Sequence, residues 1–269
     1  MKTIREATVN KMTLRLVQTS SDFAGVIWSG GSKKFEVRGA DADAIWDQLQ
    51  SEVGRAGPNY FGYGGARKAF LHWFAGAFQS PAYLRDERDY KVNAKRILEK
   101  AAPLELAATG SGFGEAILAA YRSLNLLYPI EKTRLQKLLR GADADSFVRA
   151  AARFALGDRK SALATMDKLL QPHDNARWTV VTFLPFLWSP DTEIFLKPEV
   201  TKEFASRVGH RFEHDYESAL SLKVYESLLD MAGEIALNFQ DLEPRDLIDV
   251  QSVIWIVGGY RDGVELPQA

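Results

Sequence analysis

The chain has no cysteine among its 269 residues, which excludes disulfides, thiolate zinc sites, iron–sulfur clusters and thiol nucleophiles. Charge of one sign is missing as well. With 34 basic against 35 acidic side chains the net charge is −1, which argues against a generic nucleic-acid coat. No stretch approaches the roughly 18 apolar residues that cross a bilayer, and Met1-Lys2-Thr3-Ile4-Arg5-Glu6 leads into no apolar signal region. There is no Walker motif, dinucleotide fingerprint or nucleophile elbow; Gly110-Ser111-Gly112-Phe113-Gly114 has the glycines of a phosphate loop, but no Lys-Ser/Thr pair follows. The expectation is a cytoplasmic protein without cofactor, membrane contact or obligate protein partner.

What is present builds a large core. Hydrophobic side chains make up 46% of the chain and charged ones 26%, the composition of a folded globular protein. Met12 to Gln18, Phe23 to Ser29 and Lys34 to Arg38 are short runs of branched and aromatic residues, and Gly30-Gly31-Ser32 is a hairpin signal. They predict a three-stranded antiparallel sheet. Ile45, Trp46, Leu49 and Val53 then fall at helical spacing, with Asp41 or Asp43 as cap. Helices are predicted near 66–74, 81–100, 113–126, 129–140, 143–156, 159–171, 176–187, 198–208 and 216–238. The fold class is α+β, mainly α, with a small sheet-plus-helix subdomain at 1–56 and a helical domain at 57–269. The tail Glu265-Leu266-Pro267-Gln268-Ala269 is expected to fray.

Charge is unevenly placed along the chain. Residues 1–66 hold 8 basic and 7 acidic side chains, a balance of +1; residues 67–160 hold 17 and 10, a balance of +7; residues 161–269 hold 9 and 18, a balance of −9. The basic part suggests a polyanion partner, although two parts of opposite sign also pack together. It begins beside a glycine-aromatic loop, Gly57-Pro58-Asn59-Tyr60-Phe61-Gly62-Tyr63-Gly64-Gly65. Stacking faces followed by cations are how proteins hold unpaired or flipped nucleotides. On this reading Tyr60, Phe61 and Tyr63 stack on bases, while Arg67, Lys68, Arg88, Lys95 and Arg96 seek phosphates, the first two with His72 at a helix amino end that attracts anions. The structural alternative makes the three rings core plugs beside a solvated basic helix.

Two segments carry candidate chemistry. In Glu87-Arg88-Asp89-Tyr90-Lys91, Glu87 and Lys91 read as an i,i+4 ion pair on a wet surface, or Asp89 is a general base and Lys91 an amine nucleophile or phosphate clamp. Near the end, Asp249 precedes an apolar run and reads as a helix cap or as a functional acid, with Gln251 as an amide that reads a base edge. His210 and His214 stand four apart beside Glu213 and Asp215, but without the HExxH order they are not read as a metal site.

The strings PAYLRDERDYK (Pro81 to Lys91), NLLYPIEK (Asn125 to Lys132), FLKPEVT (Phe195 to Thr201) and PRDLIDVQSVIW (Pro244 to Trp255) resemble those of a bacterial family with which phage-defence DNA glycosylases are grouped. Those enzymes remove glucosylated hydroxymethylcytosine from phage DNA. The resemblance implies hydrolysis of an N-glycosylic bond in modified phage DNA, leaving an abasic site. It assigns no role to any numbered residue. Catalytic candidates therefore remain Asp249, Asp89 and Lys91, chosen for charge and setting. A nucleic-acid-binding module without catalysis and a protein-interaction or regulatory protein stand as alternatives.

Overall fold

The computed structural model describes residues 2–9, 11–57 and 59–259; Pro58 and the tail Glu265–Ala269 lie outside them. Its secondary structure is 64% helix and 12% strand, the α+β, mainly α class read from the sequence. Four strands, not three, form the sheet: β1 (Lys2–Val9), β2 (Met12–Gln18), β3 (Phe23–Ser29) and β4 (Ser32–Gly39), in the order β1-β2-β3-β4 with every neighbour antiparallel. The unexpected strand is β1, whose sequence KTIREATV is nearly all exposed. A charged edge strand lacks the apolar alternation that announces a strand, and its charges discourage pairing with other chains. The turn between β3 and β4 uses Gly30 and Gly31 at φ 57° and 77°, the left-handed pair that a two-residue hairpin requires.

Helix α1 (Ala42–Arg55) covers one face of this sheet. Asp41 caps it, its Oδ1 accepting the N–H groups of Asp43 at 2.9 Å and Ala44 at 3.1 Å. Ile45, Trp46, Leu49 and Val53 then close a small core with Leu14, Leu16 and Ile27. Gly25 permits the approach, since a Cβ there would lie 2.6 Å from Ile45 Cγ2.

A second and larger core lies in the remaining helices: α2 (Gly62–Trp73), α3 (Pro81–Tyr83), α4 (Asp89–Ala101), α5 (Leu104–Thr109), α6 (Gly114–Ser123), α7 (Pro129–Leu139), α8 (Ala144–Ala155), α9 (Arg159–Leu170), α10 (Trp178–Trp188), α11 (Pro198–Val208), α12 (Phe212–Asp215), α13 (Leu222–Asn238) and α14 (Leu247–Gly259). Every residue of α10 is buried, so Trp178, Phe183, Phe186 and Trp188 are core, as is Phe195 beyond it. The predicted helix at 216–238 starts later, at Leu222, behind a Ser221 cap. The sheet unit meets the helical body where Gly54 of α1 touches Gly209 at the end of α11, and where Arg211 reaches Asp47 at 3.3 Å.

Candidate functional site

The predicted helix 81–100 is one run of three pieces. Ser80 accepts the Tyr83 N–H at 3.1 Å and Pro81 sits in the first turn, a start that fixes α3. Leu84–Arg88 then form a π-helical turn before α4, a feature frequent at functional sites. Its extra residue sets the phase of α4. Tyr83, Arg88 and Lys91 all turn toward α14, and Glu87 lies buried beside Lys91, making one polar seam between the two runs.

One end of the seam is saturated. Asp249 is fully buried. Its Oδ1 accepts from Tyr83 Oη at 2.5 Å and Arg88 Nη1 at 2.8 Å, and its Oδ2 from Arg245 N and Nε, both at 2.9 Å. Burial pushes this carboxyl upward, but the hydrogen bonds from Arg245 and Tyr83 and the charge of Arg88 outweigh it, so its pKa falls below the usual value. Arg88 also grips Asp246 with two bonds of 2.7 and 2.8 Å. The cap reading of Asp249 is therefore corrected. Asp246 caps α14, accepting the N–H groups of Ile248 at 3.0 Å and Asp249 at 3.3 Å, because the helix starts at Leu247, two residues before the acid that the apolar run suggested.

The other end is less complete. Lys91, with 1% exposure, donates to Gln251 Oε1 and Ser252 Oγ at 3.0 Å and to Glu87 Oε2 at 3.3 Å. Its three N–H groups are used. Glu87 receives only that single bond among the described residues, and burial raises its pKa against the opposing pull of Lys91. Burial likewise lowers the pKa of Lys91. The Glu87–Lys91 pair exists as the spacing predicts, but it is buried rather than wet, because α14 covers that face of the helix.

Glu87, Lys91 and Gln251 line a chamber of about 90 Å³, closed by Tyr90, Asn125 and Trp255. Lys197 also lines a separate pocket of about 330 Å³ walled by Tyr128, Glu131, Arg177, Thr179 and Tyr216. The Lys197 ammonium stands 4.6 Å from the centre of the Trp255 ring and 5.6 Å from that of Tyr128, and burial lowers its pKa. Sequence reasoning passed over Tyr128 and Lys197. Each directly precedes a proline that opens a helix, α7 and α11; an X-Pro helix start facing a cavity was the available signal.

The other candidates scatter. Asp89 is exposed, outside the seam. Helix α2 begins at Gly62, so Tyr63 lies in its first turn packed on Phe204 with ring centres 6.5 Å apart. Arg67 and Lys68 consequently sit mid-helix and His72 in the last turn, which corrects the reading of an anion-attracting amino end. Phe61 folds over Gly65, where a Cβ would come within 2.2 Å of its ring, and its N–H donates to Arg207 O at 2.9 Å. The loop thus meets α11 about 15 Å along the helix from Lys197, at 1.5 Å per residue. Arg67 pairs with Asp241, Lys95 with Glu99, and Arg96 donates to Asn93 at 2.9 Å; Lys68 is exposed.

His210 meets Asp230 and Glu234 rather than His214 in a group compatible with a cation. The His210 Nδ1 accepts the Phe212 N–H at 3.1 Å, however, so the neutral ring carries its proton on Nε2, which faces Asp230 at 3.4 Å. That hydrogen bond is the main reason the Asp230 pKa is lowered to about 2. The atom a metal would need is a donor.

Comparison with known proteins adds nothing to this geometry: no family model matches the chain, and no curated protein or solved structure is similar to it.

Proposed function

We propose that the protein is a DNA-acting hydrolase that cleaves an N-glycosylic bond, with Glu87 as the working carboxylate. The observation that carries this is the state of Glu87: buried, held by one hydrogen bond, with a raised pKa, at the wall of a chamber with room for several waters. Such a group is a stronger proton acceptor than an ordinary glutamate. The adjoining pocket lies at the lower end of ligand-site volumes and offers Tyr128 and Tyr216 as faces for an extruded base. In this reading Glu87 takes a proton from water as it attacks C1′, and the base departs with the electron pair of the C1′–N bond. Lys91 positions the carboxylate, Gln251 and Ser252 position Lys91, and Asp249 is framework. The choice of substrate comes from the resemblance of the four strings.

The test is incubation with DNA containing glucosylated hydroxymethylcytosine, and with unmodified DNA, followed by alkaline cleavage at abasic sites. Release from the modified DNA is expected, with Glu87→Gln slower by at least about a hundredfold, the lower end of acid–base contributions. Absence of abasic sites, or an unchanged rate in the folded variant, defeats the reading.

One observation favours the alternative of a protein without DNA chemistry. Arg67, Arg88, Arg134 and Arg159 of the basic segment pair with Asp241, Asp246 and Asp249, Asp174 and Glu193 of the acidic segment, so part of the charge asymmetry is an internal contact. A gel-shift titration at two salt concentrations separates the two, since phosphate binding weakens steeply with salt.

A further inference from the structure

We propose that the larger pocket holds the phosphate of a bound nucleotide, with the Lys197 ammonium and the Arg177 guanidinium as its counter-charges. This deepens the reading above and rests on it for the nucleotide. Two carboxylates line the cavity, and both are committed. Glu131 is buried, its Oε2 accepting the Tyr128 N–H at 2.8 Å and its Oε1 the Thr179 hydroxyl at 2.7 Å. Glu199 pairs with Lys202 at 3.0 Å.

The two cations have no such partner. Lys197 makes no ion pair among the described residues: its ammonium lies against two ring faces and feels the Glu131 charge without a direct contact; Arg177 is exposed and likewise makes no ion pair. A half-buried ammonium offset only by the Glu131 carboxylate, which is itself tied to Tyr128 and Thr179, costs free energy that a bound anion would recover in part, and the direction of the Lys197 shift, downward through burial against the pull of Glu131, agrees. Both cations occupy helix starts on the pocket wall, α10 after Arg177 and α11 after Lys197, and neither helix has a side-chain cap. First-turn N–H groups therefore add to the positive side of the same cavity. Tyr128, 58% exposed, gives a base a flat face beside these charges. Ring and cation in one cavity fit a phosphate ester that carries an aromatic base better than inorganic phosphate.

The experiment measures binding of deoxycytidine 5′-monophosphate and of deoxycytidine by calorimetry, for the wild type, Lys197→Met and Arg177→Gln. The monophosphate is expected to bind at least about tenfold tighter than the nucleoside, the worth of one charge-assisted hydrogen bond. Lys197→Met should abolish that preference and Arg177→Gln reduce it; the latter, at an exposed position, keeps the test alive if the former fails to fold. A short single-stranded oligonucleotide should displace the monophosphate if the nucleotide belongs to a strand. Equal affinity for the two ligands, binding of neither, an unaltered preference in the variants, or an oligonucleotide that binds without displacement overturns the proposal. Abasic-site formation without phosphate preference would sink this inference alone, and phosphate preference without abasic sites only the hydrolase reading.

Discussion

Asp249 and Glu87 belong to one polar seam, and the contrast between them is instructive. Both are buried carboxylates held against cations. Asp249 has several donors, three of them nitrogens of the Arg88 and Arg245 guanidinium groups, and its pKa is lowered; Glu87 has one donor and its pKa is raised. A carboxylate whose lone pairs are filled is stable and inert as a base, while an under-bonded one beside a cavity is ready to exchange a proton. Burial alone does not tell the two acids apart. The number of their partners does.

The largest expected effect breaks the comparison at its saturated end. Asp249→Asn should cost about 3 kcal/mol at neutral pH, the lower end for breaking a buried pair, because Arg245 loses its carboxylate while Arg88 keeps only Asp246. The sign with pH comes from the lowered pKa. The contribution of Asp249 is fully present above its unfolded value and is lost as pH falls through the folded one, so the penalty should shrink below the ordinary aspartate value of 3.8. Denaturant titrations at neutral and acid pH measure this. Glu87→Gln takes the ion-pair partner from Lys91 but leaves it Gln251 and Ser252, so it should cost less than Asp249→Asn while slowing base release by at least about a hundredfold.

A smaller effect sharpens the other end. A base must be unprotonated, so base release should fall as pH drops through a midpoint above the ordinary glutamate value of 4.5. Lys91→Met removes the nearby charge that opposes the rise, and the midpoint should move further up. A pH–rate profile in single turnover reads it, and a midpoint that stays in place would mean that Lys91 does not act on the working carboxylate.

The smallest effect concerns the surface charge. Lys68 and Arg96 are exposed and pair with no carboxylate among the described residues, unlike Arg67 and Arg88. Replacing both with glutamate should weaken DNA binding modestly and flatten its salt slope, since each lost phosphate contact releases fewer counterions. Unaltered affinity would leave the basic segment as a folding contact.

Much of this architecture was legible in the sequence. The Gly-Gly hairpin, the Asp41 cap, the spacing of Ile45, Trp46, Leu49 and Val53, and the Pro81, Pro129 and Pro198 helix starts are local signals, and local sterics and capping enforce them. The strand β1 was not, because an exposed charged edge has no apolar periodicity to read. At the site, Glu87, Lys91, Asp249 and Gln251 stood out as residues, but their states did not. Tyr128 and Lys197 escaped notice since neither has a partner in sequence that marks it.

By itself the sequence determined the α+β class, the sheet with its succeeding helices, the i,i+4 spacing of Glu87 and Lys91, and the absence of thiol chemistry. Tertiary structure alone decided which carboxylate is filled and which is left hungry. Tyr83 reaches Asp249 across 166 positions and Lys91 reaches Ser252 across 161. A carboxylate's proton affinity depends on the donors and solvent that folding places around it, and those come from parts of the chain that no local pattern connects.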